Sequence, residues 1–419
     1  MNNHVELVTT GSELLSGRTV NRHAQVLGDA LFPLGLQLTR DTTVSDEDAA
    51  IEEAIRSALA RVDIVVVTGG LGPTSDDLTR DIAARISAKK VVMNEPARQA
   101  IIDRYTRTGR NMNPFVERHA LIVEGADVLS NSAGLAPGER LTLARHASLG
   151  DAGGVGGKTL FLLPGPPREF AAVLNDHVLP WLRDHAGQTV PQVRIFEVCG
   201  IGESDIISRL EPAGFPVGGI DVAYCAAPGR VEIRLSGGEG LEASVRMVKD
   251  AVGDFIYAEE RLDMAEVVGR LLLAKKATVA TAESCTGGLI GHRITGVRGS
   301  SGYYLGGIIA YSNDEKIRDL GVNAVDLDRH GAVSEIVARQ MAVGVRDHFD
   351  TDFGLSVTGI AGPTSDKSDK PVGLVYIAVA DRGRTWVREH RFAGGRDHIK
   401  EWSAQMALDL LRRRLLEVI

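Results

Sequence analysis

Apolar positions in the first third of the chain switch repeatedly between two periods. Residues 5–9 form a short apolar run, 19–34 repeat their apolar side chains at helical spacing, 47–60 do so again, and 62–67 (VDIVVV) are apolar almost throughout. A strand without polar alternation is buried on both faces, the condition of a central strand in a parallel sheet. Alternating strand and helix signals predict a doubly wound sheet with helices on both faces. That region ends where the strand LFLLP at 160–164 runs into Gly165-Pro166-Pro167.

Beyond it the pattern shortens. Strands at 193–198, 221–224 and 230–235 and a helix at 203–210, punctuated by Pro212, Pro216 and several glycines, predict a small α+β unit. No chemical constellation falls in it, so a spacer or dimerisation module is expected. The last region returns to the longer rhythm, with a helix at 264–275 and strands at 277–281, 305–311, 353–358 and 373–380. Helices follow at 334–349 and, amphipathic and closing the chain, at 396–418. The fold class is α/β, with expected domains at 1–168, 169–260 and 261–419.

Composition narrows the function classes. The 419 residues carry a net charge of −8 and no long Lys/Arg run, which argues against a direct nucleic-acid partner, whose grip would need a basic surface. Cys199, Cys225 and Cys285 form no CxxC pair and predict free thiols in a reducing, cytoplasmic setting. No signal-like N-terminus and no apolar stretch of ~20 residues is present, so no membrane association is expected.

Candidate chemistry gathers where strands run into glycine-rich loops. The strand at 277–281 delivers Ala282-Glu283-Ser284-Cys285-Thr286-Gly287-Gly288 to a helix start. Exposed N–H groups at Gly287 and Gly288 would suit a phosphate or an oxyanion, with Ser284 as nucleophile. The same turn would serve if Ser284 or Thr286 merely capped the helix. Cys285 is a rival nucleophile. Tyr311, at the next strand end, and Lys316, one helical turn on, are placed to approach one point. A lysine of depressed pKa can take a serine proton, although a solvated Lys316 fits the local sequence as well.

Gly359 and Gly362 in the loop Gly359-Ile360-Ala361-Gly362-Pro363-Thr364 would admit a ligand close to the backbone. Arg396, opening the last helix, would clamp a phosphate. In the first region VDIVVV leads to Thr68-Gly69-Gly70-Leu71-Gly72-Pro73-Thr74-Ser75-Asp76-Asp77. Here Gly69, Gly70, Gly72 and Thr74 would receive a diphosphate. Asp76 and Asp77, with Glu13 after the first strand, would hold a hard divalent cation, or Asp76 would only cap a helix. The segment 152–159, AGGVGGKT, fits a loose phosphate-loop pattern. It precedes a strand instead of opening a helix, so a hairpin or surface loop is expected.

The runs TAESCTGG, YYLGGIIAYSNDEK, HGAVSE and GIAGPT resemble the C-terminal domain of the CinA family over about 155 residues, in matching order and spacing. The resemblance implies a metal-free nicotinamide mononucleotide deamidase. It would use Ser284, Tyr311 and Lys316 as a catalytic set and give nicotinic acid mononucleotide and ammonia. VNRHAQVLGDAL, GGLGPTSDDLTRD, NSAGLAPG and LLPGPPREF resemble the molybdopterin-binding-like domain of the same family. That domain implies ADP-ribose pyrophosphatase activity with a divalent metal. Small nucleotides as ligands and a homodimer are the partners expected. Two other readings stand beside this one: a deamidase whose N-terminal domain only binds a nucleotide, and a non-enzymatic partner in DNA uptake or repair.

Overall fold

A computed structural model describes residues 3–109, 112–143, 157–185, 192–365 and 369–419. The chain divides into two compact units, residues 1–191 and 192–419.

The first unit is built on β1 (His4–Thr10), β2 (Gln37–Val44), β3 (Ile64–Thr68), β4 (Val91–Met93), β5 (Leu121–Val123), β6 (Asp127–Leu129), β7 (Gly138–Leu143) and β8 (Lys158–Leu163). Six of these make one sheet in the order β2-β1-β3-β8-β7-β6, while β4 and β5 pair as a separate ribbon. The first four neighbours run parallel, and β7 and β6 add an antiparallel edge. Every residue of β3 and β8 is buried, as their unbroken apolar runs predict.

Successive side chains separate to opposite faces. Val65, Val67, Leu160 and Leu162 pack with Ile51, Ile55 and Leu59 of the helix Asp48–Arg61. Val66, Phe161 and Leu163 pack on the other face with Leu27 and Leu31 of the helix His23–Leu31. The unit extends past the expected boundary at 168. Phe170, Val173, Leu174, Val178 and Leu182, on the helical segment beginning at Pro167, complete that second apolar layer.

Lys158 and Thr159 lie inside β8, which pairs antiparallel with β7, and the Lys158 ammonium donates to the Val62 carbonyl at 3.1 Å. The amine is thus committed to the sheet, not to a phosphate. Residues 152–156 of the AGGVGGKT segment lie outside the described residues.

The second unit holds two sheets. β9 (Val193–Cys199), β10 (Asp221–Ala227), β11 (Arg230–Ser236) and β12 (Ile256–Ala258) form an antiparallel sheet in the order β10-β11-β9-β12. Its inner face is covered by Ile206, Leu210, Val245 and Val248 from two helices. β13 (Val279–Glu283), β14 (Tyr304–Ile309), β15 (Phe353–Gly359), β16 (Leu374–Ala380) and β17 (Thr385–Arg391) form the other, in the order β14-β13-β15-β16-β17.

β14, β13 and β15 run parallel, so their C-terminal ends share one edge. Helices Met264–Lys275, Leu289–Thr295 and Arg396–Leu415 contribute to the core on one face. Asn313–Leu320 and Glu335–Phe349 contribute to that on the other. The middle region is not separate from this sheet. Cys199 and Tyr257 belong to the same apolar cluster as Met264, Leu408 and Leu411, so the two sheets are joined through it, while the antiparallel sheet keeps a core of its own. No helix among the described residues is long and apolar enough to cross a membrane.

Candidate active sites

In the second unit, three loops named from the sequence meet beyond the ends of β13, β14 and β15. Ser284 follows β13, is 9 % exposed, and donates its N–H to the Val357 carbonyl of β15 at 3.0 Å. The turn then bends left-handed at Gly287 (φ 62°) and Gly288 (φ 95°) into the helix Leu289–Thr295. A Cβ at either position would be strained, which accounts for the paired glycines. Thr286 is fully buried and, among the described residues, its hydroxyl has no hydrogen-bond partner.

The amides of this turn differ from the expectation. The Gly287 N–H donates to the Ser284 carbonyl at 3.1 Å. The Gly288 and Ile290 N–H groups donate to Glu283 Oε2 at 2.9 and 3.1 Å, and Gly291 to Oε1 at 2.8 Å. An internal carboxylate, 2 % exposed, therefore occupies the helix start that an external anion would need. Donation at Gly287 and Gly288 is already spent, so neither amide is open to an external anion.

Lys316 sits in the first turn of the helix Asn313–Leu320, whose start is fixed by a reciprocal cap between Ser312 and Glu315. That geometry directs Lys316 inward. It is 1 % exposed, and its amine donates to the Ala310 carbonyl at 2.8 Å and the Ser312 carbonyl at 3.3 Å. Burial pulls its pKa down to about 8, with the Glu315 charge opposing the shift. Among the described residues it forms no salt bridge. Cys285 is buried too, and desolvation, with the Glu283 charge adding to it, pushes the thiol up to about 12. A thiol that stays protonated at neutral pH is a poor nucleophile, which removes the advantage of Cys285 over Ser284.

Tyr311 is 62 % exposed, and its hydroxyl accepts from Arg396 Nη2 at 2.8 Å. Arg396 Nη1 donates to the Gly362 carbonyl at 2.6 Å. The arginine thus ties Tyr311 to the Gly359–Pro363 loop, and no hydrogen bond among the described residues joins Tyr311, Lys316 and Ser284 to one another. At Gly359 a Cβ would lie 3.1 Å from Cys285 Sγ and 2.6 Å from a Val375 methyl, so this glycine permits the loop to close on the serine turn.

In the first unit, a cavity of about 560 Å³ opens beyond the ends of β1, β3 and β8, where open α/β sheets bind ligands. Gly69, Gly70 and Gly72 line it, and so do Glu13, Asp76 and Asp77. Gly69 packs so closely on Thr10 that a Cβ would lie 2.5 Å from its hydroxyl, and Gly70 stands likewise against Thr79. Thr74 is not in the lining. Its N–H and hydroxyl donate to Asp77, closing the loop on itself, and hydrogen bonding from Thr74 holds the exposed Asp76 carboxyl below its ordinary range. Behind the loop, buried Arg80 donates to the Leu71 carbonyl and to Glu139 Oε1, each at 3.0 Å.

Residues 261–415 match the family described as the CinA C-terminal domain, and 6–184 match a probable molybdopterin binding domain. A CinA-like protein of Dictyoglomus turgidum is 38 % identical over 421 residues, spanning 99 % of this chain and 99 % of that one. A putative competence-damage inducible protein of Moorella thermoacetica is 39 % identical, spanning 98 % of each. The chain belongs to the CinA family. Among solved structures, the competence/damage inducible protein CihA of Agrobacterium tumefaciens is 38 % identical, covering 37 % of this chain and 97 % of that one, with a TM-score of 0.34.

For this CinA-family chain, the structure adds cavity residues that the motif reading passed over. Asp46 follows β2 and accepts from the Ser12 N–H at 2.8 Å, fixing the loop that carries Glu13. Glu169 accepts from Asn131 at 2.7 Å and ties the NSAGLAPG loop to the Pro-rich turn. His23 bridges Asn21 Oδ1 at 3.0 Å and the Gly165 carbonyl at 2.8 Å, and burial lowers its pKa. Glu169 and His23 stand within the quoted motifs; only the strand-end rule, applied to β2, would have pointed to Asp46.

Glu13, Asp46, Asp76, Asp77 and Glu169 line the cavity, and among the described residues no Lys or Arg does. These oxygen donors suit a hard divalent cation. Among the described residues no three metal-binding side chains converge on one point, and Asp77 is held by Thr74. The fit is therefore to a cation carried by one or two carboxylates and completed by a ligand's phosphates, as magnesium commonly is.

Proposed function

We propose that the second unit hydrolyses the carboxamide of nicotinamide mononucleotide, releasing ammonia and nicotinic acid mononucleotide. The observation that carries this reading is Lys316, a buried amine pulled down to about 8 that forms no salt bridge among the described residues and donates to two backbone carbonyls. In its neutral form the amine has two N–H bonds and one lone pair. The Ala310 and Ser312 carbonyls accept both N–H bonds, which leaves the lone pair to take a proton. Ser284 would lose its hydroxyl proton to that lone pair as its oxygen attacks the carboxamide carbon.

The resulting oxyanion would be met by the Cys285 and Thr286 amides and the unpartnered Thr286 hydroxyl. Lys316 would return the proton to the departing ammonia, and water would then release the acid from Ser284. Arg396 and Tyr311, held together at the rim, would grip the substrate. The test is ammonia release from nicotinamide mononucleotide by the full chain; no release above an enzyme-free control sinks the reading.

We propose that the first unit hydrolyses the diphosphate bond of ADP-ribose, consuming one water and giving AMP and ribose 5-phosphate. Support comes from the charge of the cavity. Five carboxylates, with no lysine or arginine beside them among the described residues, repel a diphosphate, and a divalent cation on Asp76 or Glu13 would supply the missing positive charge when bound. The residues of the chain would orient the ligand: Gly69 and Gly70 by admitting it to the backbone, and Asp46 by holding Glu13 in place. ADP-ribose cleavage that proceeds unchanged in excess chelator would defeat this half.

A further inference from the structure

We infer that Glu283 is a positioning residue for Ser284, holding the nucleophile turn in its reactive shape by occupying the start of the helix that follows. The inference rests on the serine reading above and goes beyond it to a residue that touches no reacting atom.

Glu283 is the last residue of β13 and is 2 % exposed. Its two oxygens accept three backbone N–H groups located five, seven and eight residues further on. Ordinary helix caps use a short side chain immediately before the first turn. A carboxylate that reaches forward from the preceding strand instead closes residues 283–291 into a ring, with Ser284 at its base.

Other contacts in the ring have little slack. Gly287 and Gly288 are left-handed, and their amides donate to the Ser284 carbonyl and to Glu283 Oε2. A Cβ on Gly291 would meet the Tyr304 hydroxyl at 2.7 Å and Glu283 Oε1 at 3.5 Å. The Ser284 N–H is held by β15 and its carbonyl by Gly287. The backbone on both sides of the nucleophile is thus fixed, and the fixing point on the helix side is the Glu283 carboxylate. A group serving only to stabilise the helix could be removed with a loss of stability alone. A group that sets the direction of Ser284 must also set its reactivity, because displacement of a reacting atom by ~1 Å can cost about a hundredfold in rate.

The test uses the full chain and two readouts. The first is kcat and KM for ammonia release. The second is the rate at which a fluorophosphonate probe labels Ser284, located by peptide mass mapping, which requires no knowledge of the substrate. Glu283→Gln keeps the size and one acceptor oxygen, while Glu283→Ala removes the anchor; circular dichroism and Tm report whether each folds.

The expected result is a fall in kcat and in labelling rate of about ten- to a hundredfold for Glu283→Gln. KM should stay within about twofold, and Glu283→Ala should be slower still. A folded Glu283→Gln that labels and turns over like the wild type overturns the inference, whatever its Tm. A wild type that labels at Ser284 yet releases no ammonia refutes the proposed substrate and leaves the inference standing if labelling still drops in the variant. Absence of labelling in the wild type removes the nucleophile and the inference with it.

Discussion

The molecule contains two glycine-rich turns that look alike in sequence and differ in what they leave open. Gly69–Gly72 and Ser284–Gly288 both follow a fully buried parallel strand. After the first, the helix Thr79–Ile86 begins without a side-chain cap, and the turn borders a cavity of about 560 Å³. After the second, Glu283 fills the helix start from within. A glycine-rich turn is therefore not by itself an anion site. The first turn is open but surrounded by carboxylates, so an anion would need a cation with it. The second has its own anion, so its helix start is closed to an external one, and the proposed chemistry there falls to Ser284 instead.

The largest effect that would break this contrast is at the nucleophile. Ser284→Ala should reduce ammonia release by at least about a thousandfold, and Cys285→Ala should stay within about tenfold. A reversed pair of results would move the chemistry to the thiol despite its raised pKa.

Next comes the base. As the proposed base Lys316 would act only when neutral, and its pKa is drawn down to about 8, so kcat should rise with pH through about 8 and level off above it. The neutral fraction at pH 6 is about a hundredth of that at high pH, which sets the size of the acidic limb. Lys316→Met should lose that limb and about 10²–10⁴-fold in rate. A wild-type profile flat from pH 6 to 9 would show that this amine is not the proton acceptor.

The first turn is tested by its cation. ADP-ribose cleavage should vanish in chelator and return with magnesium or manganese, while ammonia release should be unaffected. Asp76→Ala should weaken cleavage by about tenfold or more and leave deamidation untouched. Calorimetry should detect metal binding chiefly when the nucleotide is present, since no three side chains converge on one point among the described residues. Tight binding of metal to the protein alone would mean that the carboxylates rearrange into a complete site.

The contrast also marks how far the sequence carries. Unbroken apolar runs and alternating periods are enough to give the central strands, the helices on both faces, and the serine, lysine and glycine positions at strand ends. Those features depend on local spacing. Partner choice does not. Whether Glu283 turns into its own helix, whether Tyr311 meets a lysine or an arginine, and whether Asp46 reaches Ser12 all depend on which strands become neighbours and which way a strand-end side chain points. In the sequence Glu283 is merely the residue before Ser284. Three hydrogen bonds reveal its place in the site. The extension of the first unit past residue 168 has the same origin, because the apolar side of that helical segment has meaning only once the open face of the sheet is known.

The smallest effect concerns Tyr311. If it relayed the serine proton, Tyr311→Phe would cost as much as the loss of a general acid or base, about a hundredfold or more. In the structure its hydroxyl accepts from Arg396 at an exposed rim, where a hydrogen bond to a charged donor is worth about 1.5–3 kcal/mol at most and less in contact with water. Tyr311→Phe should therefore slow ammonia release by less than about tenfold, mainly by raising KM. Arg396→Ala should do more, because it also frees the Gly362 carbonyl from its 2.6 Å bond. A Tyr311→Phe enzyme with unchanged KM and a hundredfold lower kcat would place the phenol at the reacting atoms. The second turn would then need rearrangement on substrate binding before it could act.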